Sequence, residues 1–123
     1  YQKPNFGILL DMVGAKNAVF PKEEISRIYA GYHLNKIWKL GQYLGYGSFF
    51  KNKIAPPLTD DHTYINELTQ IPTLDIIHYD VSPFTNRFDF GKFHHTHQDN
   101  LEIIDRQTLK AVGQTVLPYL FNN

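Results

Sequence analysis

The stretch FGILLDMVGA, residues 6–15, decides the fold class, because it is a short apolar run that ends in a polar residue and then a glycine. A continuous apolar run of this length is typical of a strand that is buried on both faces, as in a parallel sheet. Asp11 then lies near the carboxyl end of the strand. Ligands bind at this edge in open α/β sheets, so Asp11 is a candidate functional residue.

A helix is predicted after this strand. Pro21 suits its first helical position, and Glu23 and Glu24 suit the positive end of the helix dipole. Apolar residues then follow helical spacing at Ile25, Ile28, Tyr29 and Tyr32. SFFKNKI (48–54) predicts a second strand, and Thr59 or Asp60 is expected to cap a short second helix.

The second half of the chain continues the alternation. TLDIIHYD (73–80) predicts another buried strand, residues 80–100 a long loop, and Asp105 the N-cap of a last helix. That helix is expected to bury the face formed by Leu109, Val112, Val116 and Leu120. Alternating strands and helices predict one α/β domain over residues 1–123, with a mostly parallel sheet between two helical layers.

Composition narrows the functional classes. The hydrophobic share of 42% and the aromatic share of 15% favour a folded chain. Lys plus Arg equals Asp plus Glu at 12 each, which argues against a non-specific binder of nucleic acid or of anionic membranes. No apolar run approaches the roughly 18 residues of a membrane span. The chain has no cysteine, so any metal site must use His, Asp and Glu.

Histidines cluster in FHHTHQDN, residues 93–100. His95 is the first candidate for a metal ligand, because imidazole is a good zinc donor and a loop after a strand can direct it to the carboxyl edge of the sheet. Adjacent His94 and His95 cannot easily face one ion, and the His-X-His pattern is also common on plain surfaces. Spacing alone therefore leaves both a metal site and a solvated loop open.

Aspartates near the predicted strands form the second candidate group. An aspartate such as Asp75, inside a buried strand, is costly unless it is paired, hydrogen-bonded or bound to metal. Asp60, Asp61 and His62 form a further polar group close to the start of the second helix. A plain structural role is open for each aspartate: Asp60 as a helix cap, and Asp75 as a carboxylate hydrogen-bonded to a neighbouring loop.

Three motifs carry a resemblance to a known family. LLDMVGAKN (9–17), DDHTYINELTQIPTLDII (60–77) and FHHTHQDNLEIID (93–105) occur here in order and with similar spacing. Together they resemble the C-terminal part of the M28 zinc exopeptidases, a family that includes bacterial aminopeptidases and the animal-type glutaminyl cyclases. The closing LKAVGQTVL (109–117) is similar to Bacteroides-type members. The resemblance implies a zinc exopeptidase-like three-layer α/β/α fold, of which residues 1–123 are the C-terminal portion.

The resemblance also implies roles for individual residues. His95 matches the family's zinc-binding histidine, so zinc is the implied cofactor. Asp11 matches a ligand of the second zinc in two-zinc aminopeptidases. In single-zinc cyclases the matching aspartate instead shares a catalytic hydrogen-bond network with the residue that corresponds to Asp60. Asp75 falls where animal cyclases place a histidine of that network.

Aromatic positions of the substrate pocket are implied in the same way. Phe90 matches a pocket aromatic, His94 falls where cyclases place a tryptophan, and Phe93 or His94 would form another wall. Family members supply two further zinc ligands and the general acid/base from the half of the domain that precedes these motifs. The resemblance therefore implies that the chain is inactive alone, with the N-terminal portion of the same protein as its partner.

The leading interpretation is the C-terminal portion of a zinc-dependent glutaminyl cyclase-like enzyme, which converts an N-terminal glutamine to pyroglutamate and releases ammonia. One alternative is a zinc aminopeptidase of the same fold, and another is a non-catalytic α/β binding module. Peptide or protein N-termini are the expected substrates, with no nucleic-acid partner and no membrane span. From the resemblance we also expect export to the periplasm or the cell surface.

Overall fold

The computed structural model describes residues 5–14, 17–81, 86–89 and 105–121. Parallel strands and helices alternate over most of this range, which confirms the mixed α/β class. The elements, in chain order, are β1 (Gly7–Asp11), β2 (Phe20–Glu23), α1 (Glu24–Tyr43), β3 (Phe50–Ala55), α2 (Asp61–Thr69), β4 (Thr73–Ile77), β5 (Asp80–Val81), β6 (Phe88–Asp89) and α3 (Arg106–Phe121).

Two parallel strand pairs form the centre of the described structure. β1 pairs with β4 in an unbroken register from Gly7 opposite Thr73 to Asp11 opposite Ile77. β2 pairs with β3, also in parallel. Strands β5 and β6 pair antiparallel within the segment that the sequence predicts as a loop. Within the described ranges these pairs are separate two-stranded ladders, so the predicted single sheet between two helical layers stays a prediction.

The main core forms between β4 and the helices α1 and α3. Leu74 and Ile76 of β4 belong to one buried cluster with Leu34, Ile37, Trp38, Val112 and Val116. The indole of Trp38 is fully buried and donates a hydrogen bond of 3.0 Å to the backbone oxygen of Phe20. Strand β4 is buried along its whole length, as its apolar sequence predicts.

Residues 20–24 differ from the sequence prediction. Pro21 does not start the first helix: it lies in β2, and the helix begins at Glu24 with Glu23 as its N-cap. The pairing of β2 with β3 is irregular between Phe20 and Lys22. Proline has no amide hydrogen to donate to a strand partner and is tolerated in a strand at such an irregularity. The strand therefore extends through Pro21.

The buried helix faces are also shifted from the predicted ones. Ile28 and Tyr32 are each 65% exposed, and α1 instead buries the face of Ala30, Leu34, Ile37, Trp38 and Gly41. In α3, Val112 and Val116 are buried as predicted, but Leu109 and Leu120 are exposed. Threonines and an alanine take their places in the core. None of the described helices has the length and apolar character needed to cross a membrane.

Candidate functional site

Asp75 lies at the middle of β4 with its side chain fully buried. Its backbone amide donates a hydrogen bond of 2.9 Å to Ser26 Oγ of α1. Asp75 lies opposite Leu9 in the ladder, and Asp11 lies opposite Ile77. Since alternate residues of a strand share one face, Asp11 and Asp75 project from the same face of the β1–β4 pair. The prediction that both aspartates belong to the strands is thus confirmed.

Asp60 lies at the N-terminus of α2, where the sequence predicts a cap. Its Oδ1 accepts a hydrogen bond of 2.8 Å from the amide of Asp61, and a capping box links it to Thr63. The side chain of Asp60 is half-buried, whereas Asp61 is exposed. The capping role leaves Asp60 on the inner side of the helix start, next to β4.

Asp60 and Asp75 meet at the imidazole of His62. One carboxylate oxygen of each aspartate and one ring nitrogen of His62 lie within 4.8 Å of one another. His62 Nδ1 is 3.5 Å from Asp75 Oδ2, and both side chains are fully buried. The helix brings His62 inward because it lies two residues after the cap, on the face that α2 buries together with Asn66.

Asp75 holds a proton at neutral pH. Burial, followed by the hydrogen bond with Asp60 and the charges of Asp60, Asp11 and Glu23, raises the pKa of Asp75 to about 9. Among the described residues, neither carboxyl oxygen of Asp75 has a conventional hydrogen-bond donor. A protonated carboxyl reduces this deficit, because the oxygen that carries the proton donates to Asp60 instead of requiring a donor. The two aspartates therefore form a carboxyl–carboxylate pair.

Glu23 binds the opposite side of the His62 ring. Its Oε1 is 2.7 Å from His62 Nε2, and both side chains are fully buried. Burial alone would raise the pKa of Glu23, but hydrogen bonds from His62 and from the amides of Leu58 and Ile25 offset it and lower the pKa below its usual value. Glu23 is thus an ionised carboxylate that accepts from Nε2.

The sequence did not predict that Glu23 and His62 belong to one site. It assigned Glu23 to the helix dipole and gave His62 no role of its own. The contact joins residues 39 positions apart, so no local pattern reveals it.

The pocket aromatics and the histidine cluster were predicted at Phe90, Phe93, His94 and His95. These positions lie outside the described residues, so their predicted roles in substrate and zinc binding stay predictions. Asp11 is half-buried at the carboxyl end of β1. The next residue, Met12, has a φ of 54°, a left-handed conformation that turns the chain sharply at this edge.

Asp60, His62 and Asp75 also offer three donor atoms that could hold a cation. His62 and Asp75 are fully buried, however, and a catalytic zinc needs a coordination position open to substrate. A proton shared with Asp60 gives a partner to one of the two unpartnered oxygens of Asp75. We therefore interpret this cluster as a proton site. By its preference for nitrogen and oxygen ligands, zinc fits the imidazole of His95, and it fits the carboxylate of Asp11 in the case of a two-zinc aminopeptidase.

The fold and the cluster define an α/β protein with a buried carboxylate–imidazole site against a pair of parallel strands. The chain belongs to peptidase family M28, whose sequence profile matches residues 1–120. This confirms the resemblance carried by the three motifs. No curated protein sequence matches the chain.

Solved structures give the same family and more than one named activity. A glutaminyl cyclase from Tannerella forsythia is 44% identical with a TM-score of 0.91, over 100% of this chain and 41% of that one. A Zn-dependent exopeptidase from Parabacteroides distasonis is 45% identical with a TM-score of 0.90, over 99% and 41%. A leucine aminopeptidase precursor from Bacteroides thetaiotaomicron is 43% identical with a TM-score of 0.85, over 98% and 39%. The chain thus spans about two fifths of the length of the structures it matches.

Proposed function

We propose that this chain is the C-terminal part of a zinc-dependent glutaminyl cyclase-like enzyme. The observation that carries the proposal is the Asp60–Asp75 pair, in which a buried neutral carboxyl supports a half-buried carboxylate. The similarity to a glutaminyl cyclase at 44% identity supports the reaction class. The substrate is then a peptide or protein that begins with glutamine.

Cyclisation needs a group that moves one proton. The α-amine of the substrate attacks the side-chain amide carbon, a C–N bond forms, and the nitrogen that leaves as ammonia must gain a proton. A carboxylate that takes the proton from the amine and returns it to the leaving nitrogen acts as general base and then as general acid. The resemblance assigns this carboxylate to a portion of the protein outside this chain, and we propose that Asp60, the member of the pair that reaches the surface, is its partner in the proton network.

Asp75 acts through Asp60. Its own side chain is fully buried, so it does not reach a substrate. A neutral carboxyl that donates a hydrogen bond to Asp60 fixes the orientation of that carboxylate. Asp11, on the same strand face, adds negative charge to the network. These roles agree with the catalytic set Asp60, Asp11 and Asp75 that the resemblance implies.

Zinc is the proposed cofactor, with His95 as its ligand in this chain. When bound, a zinc ion supplies Lewis-acid polarisation of a carbonyl oxygen. Phe90, with Phe93 or His94, is proposed to line the substrate pocket. A catalytic zinc takes three protein ligands, and the chain covers about two fifths of its relatives. We propose that the remaining ligands come from another portion of the same protein, and that this chain is inactive alone.

An aminopeptidase is the second candidate, because a leucine aminopeptidase precursor and a Zn-dependent exopeptidase are similar to the chain at the same level as the cyclase. In that case the first peptide bond is hydrolysed, and Asp11 becomes a ligand of a second zinc. Its place at the carboxyl end of β1 is compatible with this role.

Product masses distinguish the two enzymes. The full-length protein that contains this chain is incubated, with zinc, with a peptide that begins with glutamine. Loss of one ammonia establishes a cyclase, and loss of the whole first residue an aminopeptidase. An unchanged peptide would contradict both and favour a binding module.

We also propose that the protein is exported, to the periplasm or to the cell surface. This proposal rests on the family alone. Fractionation of the source cells with an antibody against the chain tests it, and recovery from the cytoplasmic fraction would contradict it.

A further inference from the structure

We propose that Glu23 is a positioning residue for the Asp60–Asp75 pair and acts on it through His62. The inference rests on the proposed function for the role of the pair. Buried hydrogen bonds and contacts connect Glu23 to both the side chain and the backbone of Asp75.

Glu23 makes more hydrogen bonds than a helix cap requires. Its Oε1 accepts from the amide of Ser26 at 3.0 Å and from the hydroxyl of Ser26 at 2.8 Å, and its Oε2 accepts from the amide of Ile25 at 2.8 Å. These three bonds cap α1. Two more come from the segment around α2: the amide of Leu58 at 2.8 Å and His62 Nε2 at 2.7 Å. A cap alone does not need these last two partners.

Two routes lead from Glu23 to Asp75. The first passes through His62, whose Nε2 is held by Glu23 and whose Nδ1 faces Asp75 Oδ2. The second passes through Ser26, whose hydroxyl donates to Glu23 and accepts from the backbone amide of Asp75. One carboxylate therefore fixes both the strand position of Asp75 and the ring plane that borders its carboxyl group.

The first route orients a histidine in the same way as the partners of metal-bound histidines do. A carboxylate bound to one ring nitrogen fixes the tautomer and the orientation of the ring. It thereby determines whether the other nitrogen is a hydrogen-bond donor or an acceptor. Here the other nitrogen faces a carboxyl that carries a proton at neutral pH. Without Glu23, the His62 ring would lose its fixed orientation beside Asp75.

The opposing explanation is that Glu23 is a structural cap and nothing more. Two variants separate these explanations in the full-length protein: Glu23→Gln, which keeps size but removes the charge, and His62→Gln, which keeps a donor toward Glu23 but lacks the nitrogen that faces Asp75. Glu24→Gln is the matched control for charge, since Glu24 is the neighbouring residue and pairs with exposed Arg27. Ile37→Val, in the main core, is the control for lost stability.

Kinetics on a peptide with N-terminal glutamine give the first readout. Outer partners of a functional histidine contribute roughly 10- to 100-fold, so Glu23→Gln and His62→Gln should each lower kcat by roughly that factor, with KM within about twofold. Glu24→Gln and Ile37→Val should retain kcat. Glutamine at position 23 keeps an oxygen that can accept from Ser26, which leaves the second route in place, so the double variant should be no slower than His62→Gln alone.

The second readout does not depend on activity. The infrared band of the protonated Asp75 carboxyl, assigned by its loss in Asp75→Asn, reports the hydrogen bonding of that group. It should shift in Glu23→Gln and in His62→Gln, and stay in place in Glu24→Gln. His62→Gln leaves all four backbone and serine bonds of Glu23 intact, so it keeps the test decisive if Glu23→Gln does not fold.

Any one of three results would overturn the positioning role. These are an unchanged kcat in Glu23→Gln, a loss of kcat in the double variant equal to the product of the two single losses, and an unshifted infrared band in both single variants. A wild-type protein without activity on any N-terminal residue would instead refute the proposed function. The infrared comparison would still decide whether Glu23 positions Asp75.

Discussion

Replacing Asp75 with asparagine should change how the stability of the protein depends on pH. The pKa of Asp75 is raised from 3.8 to about 9, chiefly by burial and then by Asp60. Between these two values the native state binds one proton more than the unfolded state does. The free energy of unfolding therefore falls as pH rises, by about 1.4 kcal/mol per pH unit for this one group.

The sign is the reverse of that for a salt-bridged aspartate. The contribution of Asp75 is fully present below the unfolded pKa near 4 and is lost as pH rises towards about 9. Asparagine keeps the size and cannot ionise, so the variant lacks this slope. Between about pH 6 and about pH 8, its stability should improve relative to the wild type by about 2.7 kcal/mol.

Urea unfolding of the full-length wild type and of Asp75→Asn across this range measures the difference. Every other titrating group is present in both proteins, so the difference reports Asp75 together with its interactions with Asp60, Asp11 and Glu23. Asp61→Asn is the control: Asp61 is exposed and should show a flat difference. If the free energy of unfolding changed with pH by the same amount in the wild type and in Asp75→Asn, the claim that Asp75 is protonated in the native state would be refuted.

Three further predictions concern packing, polar burial and the metal. Gly41→Ala should lower the free energy of unfolding by roughly 1–3 kcal/mol, because a Cβ there would lie 2.5 Å from Phe50 Cδ2. Gly31→Ala has open space around the added Cβ, so it should be neutral or slightly stabilising. Thermal unfolding measures both variants. Asn66→Ala should cost roughly 2–4 kcal/mol, since the buried amide bonds both backbone groups of Thr73 at 2.8 Å. Removing zinc with a chelator should abolish activity, and added zinc should restore it; full activity after verified metal removal would contradict the proposed cofactor.

Local patterns predicted the elements and part of the site. The apolar runs around Asp11 and Asp75 gave two strands that pair in parallel, and the polar residue before α2 is its cap. The strands and the cap depend on neighbouring residues only, whereas the parallel pairing was inferred from the alternation of strands and helices. The contact between Glu23 and His62 depends on how α1 and α2 lie against β4, which no short stretch of sequence encodes.

The errors also have local causes. Helical spacing at Ile28 and Tyr32 indicates a helix correctly but not which face is covered, and α1 presents these two side chains to solvent. A proline ahead of two glutamates indicates a helix start, but a strand irregularity accommodates Pro21 equally well. In both cases the three-dimensional neighbours decided between two locally acceptable structures.

The kinetics of Asp60→Asn test the central claim most directly. Asparagine keeps the size of the side chain and removes its ability to carry the proton. Outer hydrogen-bond partners of functional groups contribute roughly 10- to 100-fold, so kcat for a peptide with N-terminal glutamine should fall by about that factor. Asp61→Asn, one residue further along α2 and exposed, should retain activity. Equal activity of the two variants would contradict the place of the Asp60–Asp75 pair in the catalytic proton network.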